Sequence, residues 1–456
     1  MKKTGYSQLI EKIKPKNLPD KFKDAYEEWN LDGNIVSHEE LDSLIERYDL
    51  TEAQKSKLHG YLKDIENSEE LSEYVTFLVY SQCDGPRYVY WIDTDTDFNS
   101  ASDAFGETGG ALNLFICLSC MGQARKDLIK RSVPKEYYEN IPHRMFAGQM
   151  RKFKESGDLS VHDMPWALNF YSLSIYLFDR FLFVPCKFGE LYSFYRNSDN
   201  RVMGFPHAGQ NVDEFGQLIP EDGDGSYDLD EIRYDGHYYG CFAEKRKTAF
   251  TTEFREDDEM IAGYEISPCG YIRNKTVAIH KEGWKKILDT DDWMIGFHIP
   301  EGPGYTPERV RTSMKLAWDF FTKYYPEIPF KGFWSSSWLY DARLSLCMDR
   351  EANITHVRRQ FFNYSGGWNG ESTYVELYGD SKLLLDEAPM KTSLQRNVAD
   401  YLRRGGRFCD TGMVYFPEEL SKDFNFPIYI TDEDTREEKK VLQKIMGKVK
   451  NGEKGI

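Results

Sequence analysis

Residues 293–337 constrain the fold of this chain more than any other stretch. They read as strand "WMIGFHI", a loop with two glycines, helix "TPERVRTSMKLAWDFFTKYY" and strand "PFKGFWSSS". The first and last segments are short, aromatic and β-branched, whereas the middle one repeats apolar residues at three- and four-residue spacing. A strand, a crossover helix and a second strand at this spacing predict an α/β unit with neighbouring parallel strands.

The junction "HIPEGPGYTPERV", residues 298–310, has the parts of an anion site. Pro307 suits the first helical position and Thr306 before it suits the cap, so the amides of the first turn face the loop. Gly302 and Gly304 permit positive φ or close backbone approach, and Arg309 and Arg311 add local positive charge. A capped helix after a glycine loop is also a common way to turn a chain, and both readings stay open on the motif alone.

The next strand ends in Ser335, Ser336 and Ser337, followed by Tyr340 and Asp341. In open α/β sheets ligands bind beyond the carboxyl ends of strands, which places these residues and His298 near a substrate. Ser337 and Asp341 are equally suited to capping the helical segment after them. His298 is a candidate general base or a hydrogen-bonded structural histidine. No G-x-S-x-G elbow supports a serine hydrolase.

Metal motifs are weak. Cys117 and Cys120 form a C-x-x-C inside an apolar helical run with no second pair, as core thiols do. "DTDTDF" at 93–98 imitates a calcium loop, but Phe98 and Ala104 stand where Gly and Glu belong. Eight cysteines spread over 456 residues suggest a reducing compartment. With no apolar run of membrane length and no signal-peptide core at the start, the expected location is the cytoplasm. The net charge of -17 repels polyanions, so neither nucleic acid nor membrane is an expected partner.

Along the chain, residues 1–175 read as a helical domain, with Ser37 and Glu40 as a capping box. Residues 176–430 read as a sheet domain with an acidic insertion at about 207–237. Residues 213–235 hold nine carboxylates against one base, Arg233, which predicts a solvated loop. "KEGWKKIL" and "WLYDARLSLCM" read as helices and "TYVELYG" as a strand. Residues 431–456 read as a polar, solvated terminal helix and tail.

Two groups of words then carry a family resemblance. "WMIGFHIPEGPGYTPERVRTSMKLAWDFFTKYYPEIPFKGFWSSSWLYDARL", "ANITHVRRQF" and "TSLQRNVADYLRRGG" resemble the GNAT-like C-terminal domain of bacterial acyltransferase-domain proteins. "LFICLSCMGQARKDLIKRSVPKEYYENI" and "MPWALNFYSL" resemble their helical N-terminal domain. The resemblance spans about residues 110–415. It implies an α+β or α/β architecture, a helical N-terminal domain followed by a GNAT-like mixed β-sheet domain flanked by helices.

It also implies acyl-CoA or acetyl-CoA as co-substrate, no metal, and transfer of the acyl group to an amine of a small molecule or peptide. The family's pyrophosphate signature, [R/Q]-x-x-G-x-[G/A], falls on Ile299, Gly302 and Gly304, with Tyr305, Thr306 and Arg309 beside them. Ile299 departs from it, because Arg or Gln belongs there. The resemblance implies a proton acceptor among His298, Glu301 and Asp341, and Tyr340, or alternatively Ser337, as the donor to the leaving thiolate. A different class of function also fits: a non-catalytic ligand-binding or regulatory protein on a degenerate GNAT-like fold, sugar binding included. The oligomeric state is left open.

Overall fold

Apolar residues at helical spacing fill the first part of the chain and β-branched and aromatic runs the second, and the computed structural model separates them accordingly. It describes residues 3–14, 21–31, 33–83, 101–161, 163–219, 247–368, 371–379, 385–404 and 406–450. The chain divides into two units, one of residues 1–178, 182–186 and 320–327, the other of 179–181, 187–319 and 328–456.

The first unit is built on helices α1 (Tyr6–Ile13), α2 (Lys21–Glu28), α3 (His38–Ile45), α4 (Glu52–Asn67), α5 (Glu69–Cys83), α6 (Ala101–Lys130), α7 (Ile141–Ser156) and α8 (Met164–Tyr171). The Ser37 hydroxyl accepts from the Glu40 amide at 3.2 Å while the Glu40 carboxylate accepts from the Ser37 amide at 3.1 Å, which starts α3 as the sequence predicts. Thr51 and Gln54 do the same for α4. In α6 the run from Ala111 to Met121 is buried on every side, the mark of a central helix rather than a surface one. Cys117 and Cys120 lie inside that run as buried thiols outside any disulfide.

Strands β1 (Tyr176–Phe178) and β2 (Phe181–Lys187) are joined by a two-residue turn, Asp179–Arg180, with Asp179 at φ 53°. The second unit continues with β3 (Tyr192–Asn197), β4 (Val202–Pro206), β5 (Asn211–Val212), β6 (Phe250–Thr251), β7 (Phe254–Glu256), β8 (Met260–Ser267), β9 (Tyr271–His280), β10 (Trp284–Leu288) and β11 (Trp293–His298). Then come α9 (Pro307–Tyr324), β12 (Phe333–Ser337), α10 (Asn353–Arg358), β13 (Phe362–Trp368), α11 (Glu371–Tyr378), α12 (Ser393–Arg403), β14 (Asp410–Tyr415) and α13 (Asp432–Lys450).

Strands β11, β12, β14 and β13 lie side by side in that order. The expected parallel pair is present: β11 and β12 run parallel through Ile295↔Phe333 and Gly296↔Trp334. β14 is antiparallel to both its neighbours, so the sheet is mixed. Two antiparallel three-stranded sheets, β10-β3-β4 and β7-β8-β9, complete the main β structure.

Five segments differ from their sequence patterns. "KEGWKKIL" forms a single 3-10 turn followed by β10, which pairs with β3; the apolar spacing suits a helix, and strand pairing overrides it. "TYVELYG" lies in α11, because Tyr374 and Tyr378, four apart, are both buried in one apolar cluster. "WLYDARLSLCM" is broken into two 3-10 turns at Asp341, whose backbone is extended and whose carboxylate caps the second turn.

The terminal helix is not a solvated tail. Ile445 and Val449 of α13 are buried with Trp338, Leu344, Tyr374 and Leu402. Arg358, 1% exposed, pairs with Glu438, and Arg273 pairs with Asp434 and Glu437.

The acidic run is solvated only in part. Asp213 is buried and pairs with Arg407 at 3.2 Å, and Glu214 holds Lys444 and Lys448. The run from 220 to 235, and "DTDTDF" at 93–98, lie outside the described residues. No helix among the described residues is long and apolar enough to cross a membrane, and no group of three or more His, Cys, Asp or Glu there has a metal-holding arrangement.

Candidate active site

The pairing of β11 with β12 stops early. Its last matched residues are Gly296 and Trp334, yet β11 runs on to His298 and β12 to Ser337, the latter still paired with β14 as far as Ser337↔Thr411. Two parallel strands that share a start and then part open a wedge at their carboxyl ends, where ligands of such sheets bind.

Aromatic rings pack behind the wedge. Phe297 lies 5.2 Å from Phe181 and 6.4 Å from Phe361, ring centre to ring centre. Phe181 also meets Tyr305 at 6.0 Å, and Phe361 meets Tyr340 at 5.7 Å. The phenol oxygens of Tyr305 and Tyr340 are both enclosed, and neither completes a well-formed hydrogen bond to a protein atom. They are close enough to feel each other's charge, and Ser335, also buried, adjoins Tyr340. Burial pushes both phenols well above the ordinary tyrosine range, so both stay protonated donors.

His298 ends β11, half-buried, and burial pulls its imidazole down to about 4. It is therefore neutral at pH 7 and able to accept a proton. Between the unfolded value near 6.5 and about 4 the unfolded chain binds more protons than the folded one, so stability falls as pH drops through that window. The full shift corresponds to roughly 3 kcal/mol. Urea denaturation from pH 7 to pH 4 is expected to show this slope in the wild type and a smaller one in His298→Gln; equal slopes would remove the assignment.

Beyond β11 the loop carries Ile299, half-buried, and Glu301, exposed. Gly302 has φ 124° and Gly304 φ 95°, backbone that side chains rarely adopt. The amides of Glu301, Gly302, Gly304 and Tyr305 donate to no protein acceptor among the described residues. Thr306 caps α9, its hydroxyl 3.4 Å from the Arg309 amide. The result is a loop with four uncommitted N–H groups leading into a helix start, with the polarity an anion requires.

Arg309 is not free to serve an anion. Its guanidinium forms a two-pronged pair with Asp179, Nε to Oδ2 at 2.6 Å and Nη2 to Oδ1 at 2.8 Å. A residue that the sequence does not flag stands beside it. Arg180 donates from Nε to the Pro303 carbonyl at 2.6 Å, and from Nη2 to Pro300 at 2.8 Å and to Gly302. It comes from a turn far upstream in the chain, and no spacing rule connects it to the loop.

Ser337 and Asp341 are committed to backbone. The Ser337 hydroxyl accepts from the Leu339 amide at 3.2 Å. Asp341, 1% exposed, accepts from the Arg343 amide at 2.9 Å and the Cys409 amide at 2.7 Å, and pairs with the Arg343 guanidinium at 3.3 Å. The structure thus links Tyr305, Tyr340 and the end of β11 through shared aromatic contacts. Glu301 stays exposed on the loop, and Asp341 is an anchor.

Residues 234–414 match the model of the family described as the GNAT-like C-terminal domain. The helical first part followed by a mixed sheet with helices is a GNAT-like acyltransferase fold, and residues 234–414 are its C-terminal domain. The chain is also similar to an acyltransferase solved in complex with decanoyl-CoA, at 12% identity over 91% of this chain and 100% of that one, with a TM-score of 0.52. An acyltransferase mutant in complex with octanoyl-CoA gives 14% identity, 91% and 100% coverage and a TM-score of 0.51. An acyltransferase in complex with decanoyl-CoA and teicoplanin gives 14%, 90%, 98% and 0.51. At these identities the likeness concerns the fold. No curated protein matches the chain. Within the GNAT-like domain, the loop of Gly302 and Gly304 occupies the junction between β11 and α9, directly beyond the parted strands.

Proposed function

We propose that this protein transfers an acyl group from acyl-CoA to an amine of a small molecule or peptide. The observation that carries the proposal is that β11 and β12 stop pairing before their carboxyl ends, just ahead of the free amides of the Gly302–Tyr305 loop. The wedge suits an extended pantetheine chain, and the amide run suits a pyrophosphate. The neighbours solved with octanoyl-CoA and decanoyl-CoA support an acyl-CoA donor, and the one solved with teicoplanin supports a small-molecule acceptor.

In this reading the amine nitrogen attacks the thioester carbon, a C–N bond forms and the C–S bond breaks. The neutral imidazole of His298 takes the proton from the amine, directly or through water, and Tyr340 gives its proton to the departing thiolate. Glu301 is the second candidate acceptor. Tyr305, whose phenol adjoins that of Tyr340, is a second donor, toward the thioester carbonyl.

Calorimetry and thermal denaturation with CoA and acetyl-CoA test the proposal. A ligand that binds only the folded state at 100 times its Kd adds about 2.7 kcal/mol to apparent stability, so a clear rise in Tm is expected. No rise at millimolar CoA would sink the proposal and favour the non-catalytic alternative. Thiol release with a panel of amines then reads the transfer itself.

A further inference from the structure

We infer that Arg180 supplies the positive charge that the pyrophosphate signature lacks at Ile299, acting as the positioning residue of the phosphate loop. The inference rests on the acyl-CoA reading above and goes beyond it by assigning the cation.

Three observations carry it. The carbonyls of Pro300, Gly302 and Pro303 all point at one guanidinium. In a trans peptide the N–H lies opposite the C=O, so fixing the carbonyls of Pro300 and Pro303 on Arg180 turns the N–H groups of Glu301 and Gly304 to the other side of the loop. Those are two of the amides that find no protein acceptor. The clamp therefore sets the face that an anion meets.

Charge is the second observation. Arg309, the residue that the motif itself offers, is neutralised by Asp179 at 2.6 Å. Of Asp179, Arg180 and Arg309, two cations and one anion leave one positive charge, and it resides on Arg180. Arginine keeps its charge even when burial and a neighbouring guanidinium pull it down, as both do here. Third, Nη1 of Arg180 is enclosed and meets no protein acceptor, so a charged donor remains uncommitted inside the loop. The fit is tight: a Cβ at Gly304 would stand 3.4 Å from the Arg180 Cδ.

Calorimetry with CoA at two ionic strengths, on the full chain and three variants, provides the test. Arg180→Gln keeps donors without charge, Arg180→Lys keeps charge without the planar fork, and Arg180→Ala removes both. Arg180→Ala and Arg180→Gln are expected to weaken CoA at least 10-fold and to flatten its dependence on salt, whereas Arg180→Lys restores part of both. A clamp with no electrostatic part would leave Lys as weak as Gln, and that result overturns the inference. So does a Gln variant that binds CoA with the wild-type Kd and salt slope, an outcome that leaves the acyl-CoA reading standing. If the wild type itself fails to bind CoA, the reading falls and the inference with it. Should Arg180→Ala fail to fold, the Gln and Lys variants decide.

Discussion

Asp341→Ala is expected to cost about 3–5 kcal/mol of stability, the range for breaking a buried ion pair by removing one partner. The change leaves Arg343, also 1% exposed, with an uncompensated charge in the interior. It also frees the amides of Arg343 and Cys409, which tie a 3-10 turn to the chain entering β14. Urea unfolding measures the loss directly. Asp341→Asn separates the two roles the sequence allows. An anchoring carboxylate predicts a large fall in stability, while a proton acceptor predicts a stable protein that has lost turnover. Wild-type stability in either variant would show that the Arg343 pair contributes little.

Gly304→Val is expected to lower CoA affinity by more than 10-fold in a protein that still folds. At φ 95° a β-branched residue is strained by roughly 1–3 kcal/mol. Its Cβ would also fall 2.4 Å from Nη1 of Arg309, so the loop or the Arg309–Asp179 pair must move. Gly302→Val shares the positive φ, 124°, but has open space around the new carbon, and is expected to do less harm. Calorimetry with CoA ranks the two. Equal affinity for all three proteins would mean that the loop backbone does not hold the phosphates.

What the sequence made legible were features whose cause is local. The capping box at Ser37 is three-residue chemistry, and the parallel pair arises from strand, helix and strand in succession. Gly302 and Gly304 are visible because only glycine adopts such backbone freely. What stayed hidden depends on partners distant in sequence. Nothing in "LFDRF" announces that Arg180 meets Pro300 and Pro303 more than a hundred residues later. "KEGWKKIL" has helical spacing and becomes a strand only because β3 is there to receive it. The charges of α13 hid its buried face, since Glu438 is buried by pairing with Arg358 and not by being apolar.

The way α13 is held has a consequence for the order of events on the ribosome. Arg273 has an upstream partner in Glu265, but Asp434 and Glu437, which also pair with it, and Glu438, which pairs with Arg358, are synthesised after every strand of the sheet. Until that segment emerges, the nascent second unit lacks the Glu438 partner of Arg358 and the cover that Ile445 and Val449 give to Trp338, Tyr374 and Leu402. Its final collapse therefore waits for α13. Transiently exposed apolar surface of this kind is what makes partly made domains prone to aggregate.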